Sequence, residues 1–291
     1  MKERLKRYFR KLFRILKKPE MSILPSNIAF NLILALIPIL TIVVLIASSF
    51  DISIAKVALL VEKIVPKQVS DIIIEVISGK GFDNSVGLFN IVAFIIATNG
   101  TYAIINTSDA LYKIQENNEI KKRISAVIIL FIIIILFVFM LVIPIFGENI
   151  LQIMHQAKIF DNYIDEIIGI FNILKWPISL FIIYFNIKLI YAVAPSKNIK
   201  ASETTYGAIF TTIMWSIVTI VFRFYLAYFA RYDILYGNLS SIIILMVWIY
   251  LLSYIFIFGM AINVSRIEDK ELEATKRLDL QEIKDAENKA K

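Results

Sequence analysis

Six long apolar stretches dominate this chain, near residues 26–50, 86–110, 124–146, 173–194, 204–230 and 238–263. A helix needs about 20 apolar residues to cross a hydrocarbon core of about 30 Å, and each stretch reaches that length. In lipid every backbone N–H and C=O must be satisfied within the protein, so such runs are viable only as helices. The reading is therefore an all-α, polytopic membrane helix bundle with six transmembrane helices. At 58% hydrophobic residues, no stretch is left for a separate soluble catalytic domain. The chain divides into a basic amphipathic interfacial helix at 1–20, a six-span domain at 21–264 and a charged cytoplasmic tail at 265–291.

Charge sets the orientation. Residues 1–20 carry nine Lys/Arg, and the tail after Asn263 carries seven. The 111–123 loop adds Lys113, Lys121, Lys122 and Arg123, whereas the 147–172 loop has Lys158 alone and the 231–237 turn has Arg231 alone. The 51–85 loop holds four Lys against five acids. Positive charge gathers on the cytoplasmic side, so both termini are expected there. The formal charge of +7 is then a matter of topology, and no nucleic-acid partner is expected. A multi-pass membrane protein is implied. The first apolar run, 28–50, is too long for the core of a cleaved signal, so it is expected to stay as the first span.

Amphipathic pieces flank the spans. Leu5, Phe9, Leu12 and Leu16 share one face of the N-terminal segment, opposite its Lys/Arg side, which suits a helix lying on anionic headgroups. In the outer loops, Val69, Ile72, Ile73, Val76 and Ile77, and then Ile164, Ile167, Ile168 and Phe171, recur at helical spacing. The tail from Ser265 mixes both signs of charge and reads as a frayed helix.

Polar residues thread the spans on single faces. Thr205, Thr212, Ser216, Thr219 and Arg223 fall at i, i+7, i+11, i+14 and i+18, one stripe of a helix. Asn99, Tyr102, Asn106 and Asp109 form a second stripe beside Gly100, and Asn31, Pro38 and Thr41 a third. Ionisable groups inside a membrane usually face a bundle interior or a wet cavity. Two readings stand side by side. Either the stripes line a polar path for a substrate, or the amides and hydroxyls join neighbouring helices, each bond worth roughly 0.6 kcal/mol. Arg223 lies about 12 Å from the outer end of its span. It either snorkels to that interface or offers its planar fork to an anionic group such as phosphate. Asp109 is at the opposite end of its span, so the two are not expected to pair. Lys188 is expected to snorkel inward, and Ser202 with Glu203 to open the fifth span as N-cap and dipole-stabilising acid.

Several chemistries are excluded. No cysteine is present, which removes thiolate catalysis and disulfides. His155 is the sole histidine, and no Gly-rich phosphate loop occurs. Neither a catalytic role, nor a cofactor, nor a metal site is expected.

The run Tyr236-Gly237-Asn238-Leu239-Ser240-Ser241, then Trp248-Ile249-Tyr250 and Gly259-Met260-Ala261-Ile262-Asn263, resembles the last span of the YihY/BrkB family of bacterial inner-membrane proteins. That family reads Tyr-Gly-Ser, Trp-x-Tyr and Gly-Ala-Glu-Leu-Asn in the same order. Tyr191, Pro195, Gly207 and Trp215 are similar to its fourth-to-fifth span connection, and Ala29-Phe30 with Leu36-Ile37-Pro38 to its first span. The resemblance covers about 20–265. Two departures stand out: Ala261 replaces the usual Glu, and Ala35 a frequent Ser, which counts against proton coupling at position 261. The family's old label of ribonuclease BN finds no support in a chain with one His and no Cys. The resemblance instead implies roles in envelope integrity, serum resistance or movement of lipids and lipid-linked precursors.

Together these point to a protein that moves or handles a lipid or lipid-linked envelope component through a polar intramembrane groove. Membrane lipids are its expected partners, with envelope proteins as a further class, and the oligomeric state is open. The rivals are a small-solute or ion transporter, which needs a closed aqueous cavity, and a non-transporting envelope assembly or structural factor.

Overall fold

The computed structural model describes residues 15–17, 19–48, 62, 66–78, 87–116, 118–136, 164–229 and 231–289. The interfacial helix lies outside them except at its end. So do Thr41's side chain, His155, residues 137–163 and most of the 51–85 loop. Among the described residues the chain is helical, with no strand. Its elements are α1 (Glu20–Ser48), α2 (Lys67–Ser78), α3 (Gly87–Tyr112), α4 (119–136), α5 (Ile164–Val193), α6 (Thr205–Tyr228), a short α7 (Tyr232–Tyr236) and α8 (Ser240–Lys289).

Three of these are long and apolar enough to cross a membrane, over Trp176–Val193, Thr205–Tyr228 and Ser240–Gln281. A shorter apolar stretch in α1 covers Met21–Leu36. The exposed surface has the composition that lipid demands. Ile220 is 67% exposed, Phe181 63% and Trp176 63%, all on α5 and α6. Water-facing patches of this kind would drive aggregation.

The helices contact one another in a closed circuit. α1 packs on α3, α8 on both α1 and α6, and α5 on α6. α4 bridges the remaining gap. The Thr101 hydroxyl of α3 donates to the Ala126 carbonyl at 2.7 Å, and the Asn186 amide of α5 donates to the Ile132 carbonyl at 3.0 Å. Among the described residues the core forms two clusters. One, around Ile105, Ile129, Ile187, Tyr191 and Met260, gathers the C-terminal ends of α3 and α5 with the start of α6. The other, around Ala35, Val69, Leu130, Phe222 and Leu245, includes α2, whose apolar face lies on α1 and α8 as the spacing of Val69 and Ile73 predicts.

Three local outcomes differ from the sequence reading. The amphipathic piece at 164–171 is the first part of α5, which runs through Pro177 without a break. Membrane helices tolerate such prolines because neighbours re-satisfy the freed carbonyl. The tail is also continuous with the last span, giving one helix of 50 residues, about 75 Å long. No Gly or Pro follows Gly259, and the tail is rich in Glu, Lys, Ala and Leu, so nothing stops the helix. Finally, Ser202 and Glu203 do not cap α6. Thr204 is the N-cap residue and makes no side-chain cap bond. Glu203 pairs instead with Lys270 of α8 at 3.5 Å. Lys188 sits with its ammonium 5.7 Å from the Tyr184 ring centre.

Between α7 and α8 the chain turns through Gly237 at φ +53°, a left-handed conformation that glycine adopts without a Cβ penalty. Beyond Ser265, α8 is tied back to the bundle by Arg266, 3.5 Å over the Tyr206 ring, and by a Glu268–Lys113 pair at 3.2 Å.

Candidate functional site

Two polar regions emerge, a closed seam between α5, α6 and α8, and an open edge between α3 and α4. The seam is built on glycine. A Cβ on Gly207 would run into the Gly259 carbonyl oxygen and the Asn263 amide, and one on Gly259 into the Thr211 hydroxyl. The two backbones touch, which only small residues permit. Asn263 is fully buried and supplies the cap that α6 lacks. Its side-chain carbonyl accepts the Gly207 N–H at 2.7 Å, and its amide donates to the Thr204 carbonyl at 3.2 Å. One turn along, the buried Tyr191 hydroxyl donates to the Phe256 carbonyl at 2.5 Å and pairs with Thr211 at 2.8 Å. Trp215 donates to the Leu252 carbonyl at 2.8 Å. Pro195 is buried in the turn leading into α6.

Asn263→Ala would leave the Gly207 N–H buried without a partner, while the Thr204 carbonyl keeps the Ala208 N–H at 3.1 Å. A buried orphan costs about 1–3 kcal/mol, and that is the expected loss. Thermal unfolding of the detergent-solubilised protein checks this, and an unchanged midpoint would refute it.

The α6 stripe is largely satisfied by its own helix. Thr212 donates to the Ala208 carbonyl at 2.8 Å, Ser216 to the Thr212 carbonyl at 3.0 Å and Thr205 to the Ala201 carbonyl at 3.4 Å. Thr219 is half-buried on the same face. Arg223 donates to the Glu62 backbone carbonyl at 3.1 Å, joining α6 to the segment ahead of α2. On α1, Asn31 donates to Asn27, and its backbone lies against Gly100 of α3, where a Cβ would stand 2.7 Å from that of Ala35. Pro38 is buried inside α1, which continues to Ser48. Of the remaining family-motif residues, Tyr236 and Tyr250 are exposed and Trp248 packs on the second core cluster. Tyr236 lines a shallow depression of about 420 Å³ with Tyr225, Phe229, Arg231 and Tyr232. Aromatic girdles of this kind mark membrane interfaces.

The α3 stripe splits in two. Asp109 is buried and closes the α5–α6 turn, accepting the Ser196 N–H at 2.8 Å and the Ser196 hydroxyl at 2.7 Å. Lys122 lies 3.6 Å from it, and Lys121 donates to the Ser196 carbonyl at 3.0 Å. Lys121 also donates to the Glu116 carboxylate at 2.8 Å, which holds that carboxyl below its usual range. The upper half of the stripe faces outward. Asn99 is exposed and accepts from the Arg123 guanidinium at 2.7 Å. That guanidinium lies 4.3 Å over the Tyr102 ring, and the Tyr102 hydroxyl donates to Glu119. Asn106 is half-buried beside Tyr102.

Periodicity identifies Asn99, Tyr102 and Asn106. It misses Arg123 and Glu119, whose i,i+4 spacing at the start of α4 is the available signal. Among the described residues no group of three His, Asp or Glu converges as a metal site needs.

A family model described as Virulence factor BrkB matches residues 12–282. The ribonuclease-like protein YfkH of Bacillus subtilis strain 168 is 27% identical over 85% of this chain and 90% of its own. A membrane protein of Idiomarina loihiensis, UPF0761 membrane protein IL2447, is 27% identical over 42% of this chain and 41% of its own. A Coxiella burnetii UPF0761 membrane protein is 32% identical over 28% of this chain and 30% of its own. No solved structure matches.

Proposed function

This chain belongs to the virulence factor BrkB family of membrane proteins, and from there we propose that it handles a lipid or lipid-linked envelope component. It does so in the bacterial inner membrane, with six spans, both termini cytoplasmic and no chemical catalysis. The observation that carries this reading is the α3–α4 edge. Asn99 and Arg123 are polar, yet both are exposed among the apolar Val92, Ile95, Ile96, Ile124 and Ile128. A polar seam on an apolar outer wall lets a headgroup travel along protein while its chains stay in lipid. A closed aqueous pathway for a small solute would instead turn such groups inward.

The test is transbilayer movement of a labelled phospholipid in proteoliposomes, read with a membrane-impermeant quencher. Wild type is expected to expose inner-leaflet label faster than empty vesicles. Asn99→Leu should slow it about tenfold, the factor that about 1.4 kcal/mol supplies. Movement no faster than in empty vesicles would overturn the reading for phospholipids.

A second reading, an envelope assembly factor, draws on the exposed Leu272, Leu278 and Leu280 of the α8 extension. It expects removal of residues 271–291 to abolish function while Asn99→Leu leaves it intact.

A further inference from the structure

Arg123 points the wrong way for an ordinary interfacial arginine. The Thr101–Ala126 hydrogen bond fixes the register of α3 against α4. Arg123 starts three residues from Ala126 on the side of the 113–118 turn, and Asn99 lies two residues beyond Thr101 on the other side. At about 1.5 Å per residue, the guanidinium reaches roughly 7 Å away from the turn, toward the middle of the helices. Snorkelling would send it the opposite way.

Glu119, one helical turn earlier, is the natural i,i+4 partner of Arg123. The two are nevertheless kept apart by Tyr102. Its ring face takes the guanidinium and its hydroxyl takes the carboxylate. Asn99 draws the cation further from the turn, while Glu119 stays nearer to it. The result is a separated pair of opposite charges laid along the helix axis on an exposed surface, with the Lys122 ammonium 3.9 Å from the carboxylate on its other side. Beside it, Glu119, Ile120, Arg123, Ile124 and Val127 line a shallow concavity of about 330 Å³. Farther from the turn than the guanidinium the wall is apolar, through Ile95, Phe131 and Ile135.

We propose that this edge binds a phospholipid carrying a primary ammonium, a phosphoethanolamine headgroup, in the leaflet nearest the 113–118 turn. Along such a lipid the order from water inward is ammonium, phosphate, acyl chain. Along the protein it is carboxylate, guanidinium, isoleucines. Arg123 meets the phosphate with its planar fork, and Glu119 accepts from the ammonium across the ethylene bridge. Tyr102 and Asn99 are positioning residues that stop the two charges from neutralising each other. The proposal rests on the lipid-handling reading for its bilayer setting, but it concerns binding rather than movement.

Native mass spectrometry of the full chain in detergent, with added phosphatidylethanolamine or phosphatidylglycerol, tests it. Wild type is expected to retain phosphatidylethanolamine preferentially. Arg123→Ala should weaken retention of both lipids about tenfold, and Glu119→Gln should erase the preference while keeping phosphatidylglycerol. Thermal midpoints of both variants should match wild type, since both side chains are exposed. Equal retention of the two lipids by wild type, or variants that retain lipid as wild type does, would overturn the proposal. Chain-free glycerophosphoethanolamine is expected not to compete, and competition as strong as that of the lipid would overturn the lipid source. Retention without transbilayer movement in the proteoliposomes would sink the proposed function and leave this site standing.

Discussion

Gly207→Val is expected to cost this protein about 3 kcal/mol or more, enough to lower its thermal midpoint by several degrees or prevent its accumulation. The added Cβ meets the Gly259 backbone carbonyl as well as the Asn263 amide, and the carbonyl cannot swing aside as a side chain can. Relief requires α6 and α8 to move apart. Overpacking of a close-packed site costs about 1–3 kcal/mol when side chains can yield, and more when they cannot. Separation would also stretch the two hydrogen bonds that Asn263 makes to the start of α6. Gly169→Ala is the matched control. Nothing lies within 4 Å of the place its added methyl would occupy, and it sits in a helix, where alanine is favoured over glycine by about 0.8–1.0 kcal/mol. Tryptophan fluorescence during heating reports both variants, because Trp215 is bonded within the same seam. A Gly207→Val protein that melts with wild type would mean that the helix contact is slack.

The second large effect is expected at Asp109. Asp109→Asn keeps an acceptor for the Ser196 N–H but removes the charge opposite Lys122. The Lys122 side chain is 12% exposed and that of Asp109 5%. Breaking a buried pair from one side costs about 3–5 kcal/mol when the surviving charge is stranded; Lys122 keeps Glu119 at 3.9 Å, so the lower end of that range is expected. The double variant Asp109→Asn with Lys122→Met removes both charges and should recover most of the loss, since uncharged replacements of a buried pair are often neutral. Thermal midpoints of the four proteins form the cycle. Failure of Lys122→Met to rescue would show that Asp109 acts through Ser196 alone.

The helices are legible in the sequence because apolar length and helical periodicity are local properties. Periodicity also puts the Asn99–Tyr102–Asn106–Asp109 stripe on one face, but a face does not name its neighbour. The register between α3 and α4, set by Thr101 and Ala126, decides that Asn99 meets Arg123 and that Asp109 meets Ser196 across the chain. No pattern within either helix encodes it. The cap of α6 escapes a local reading for the same reason, because its acceptor comes from Asn263, 56 residues away from Gly207. Family resemblance marks Tyr191, Gly207, Trp215, Gly259 and Asn263 as separate motifs. Their convergence on one seam is a tertiary fact. The unbroken α8 departs from the frayed tail expected after residue 264, although its charged half is made of good helix formers with no Gly or Pro to stop it.

That continuity has a mechanical consequence. The stretch from Asn263 to Lys289 is about 39 Å of uninterrupted helix. Pivoted at the Gly207–Gly259 contact, the helix is a lever arm of about 45 Å to Lys289: a 10° tilt within the bundle would sweep its tip through about 8 Å, by the same rise per residue. Rearrangement among the spans is thereby amplified and delivered to whatever stands beside that tip.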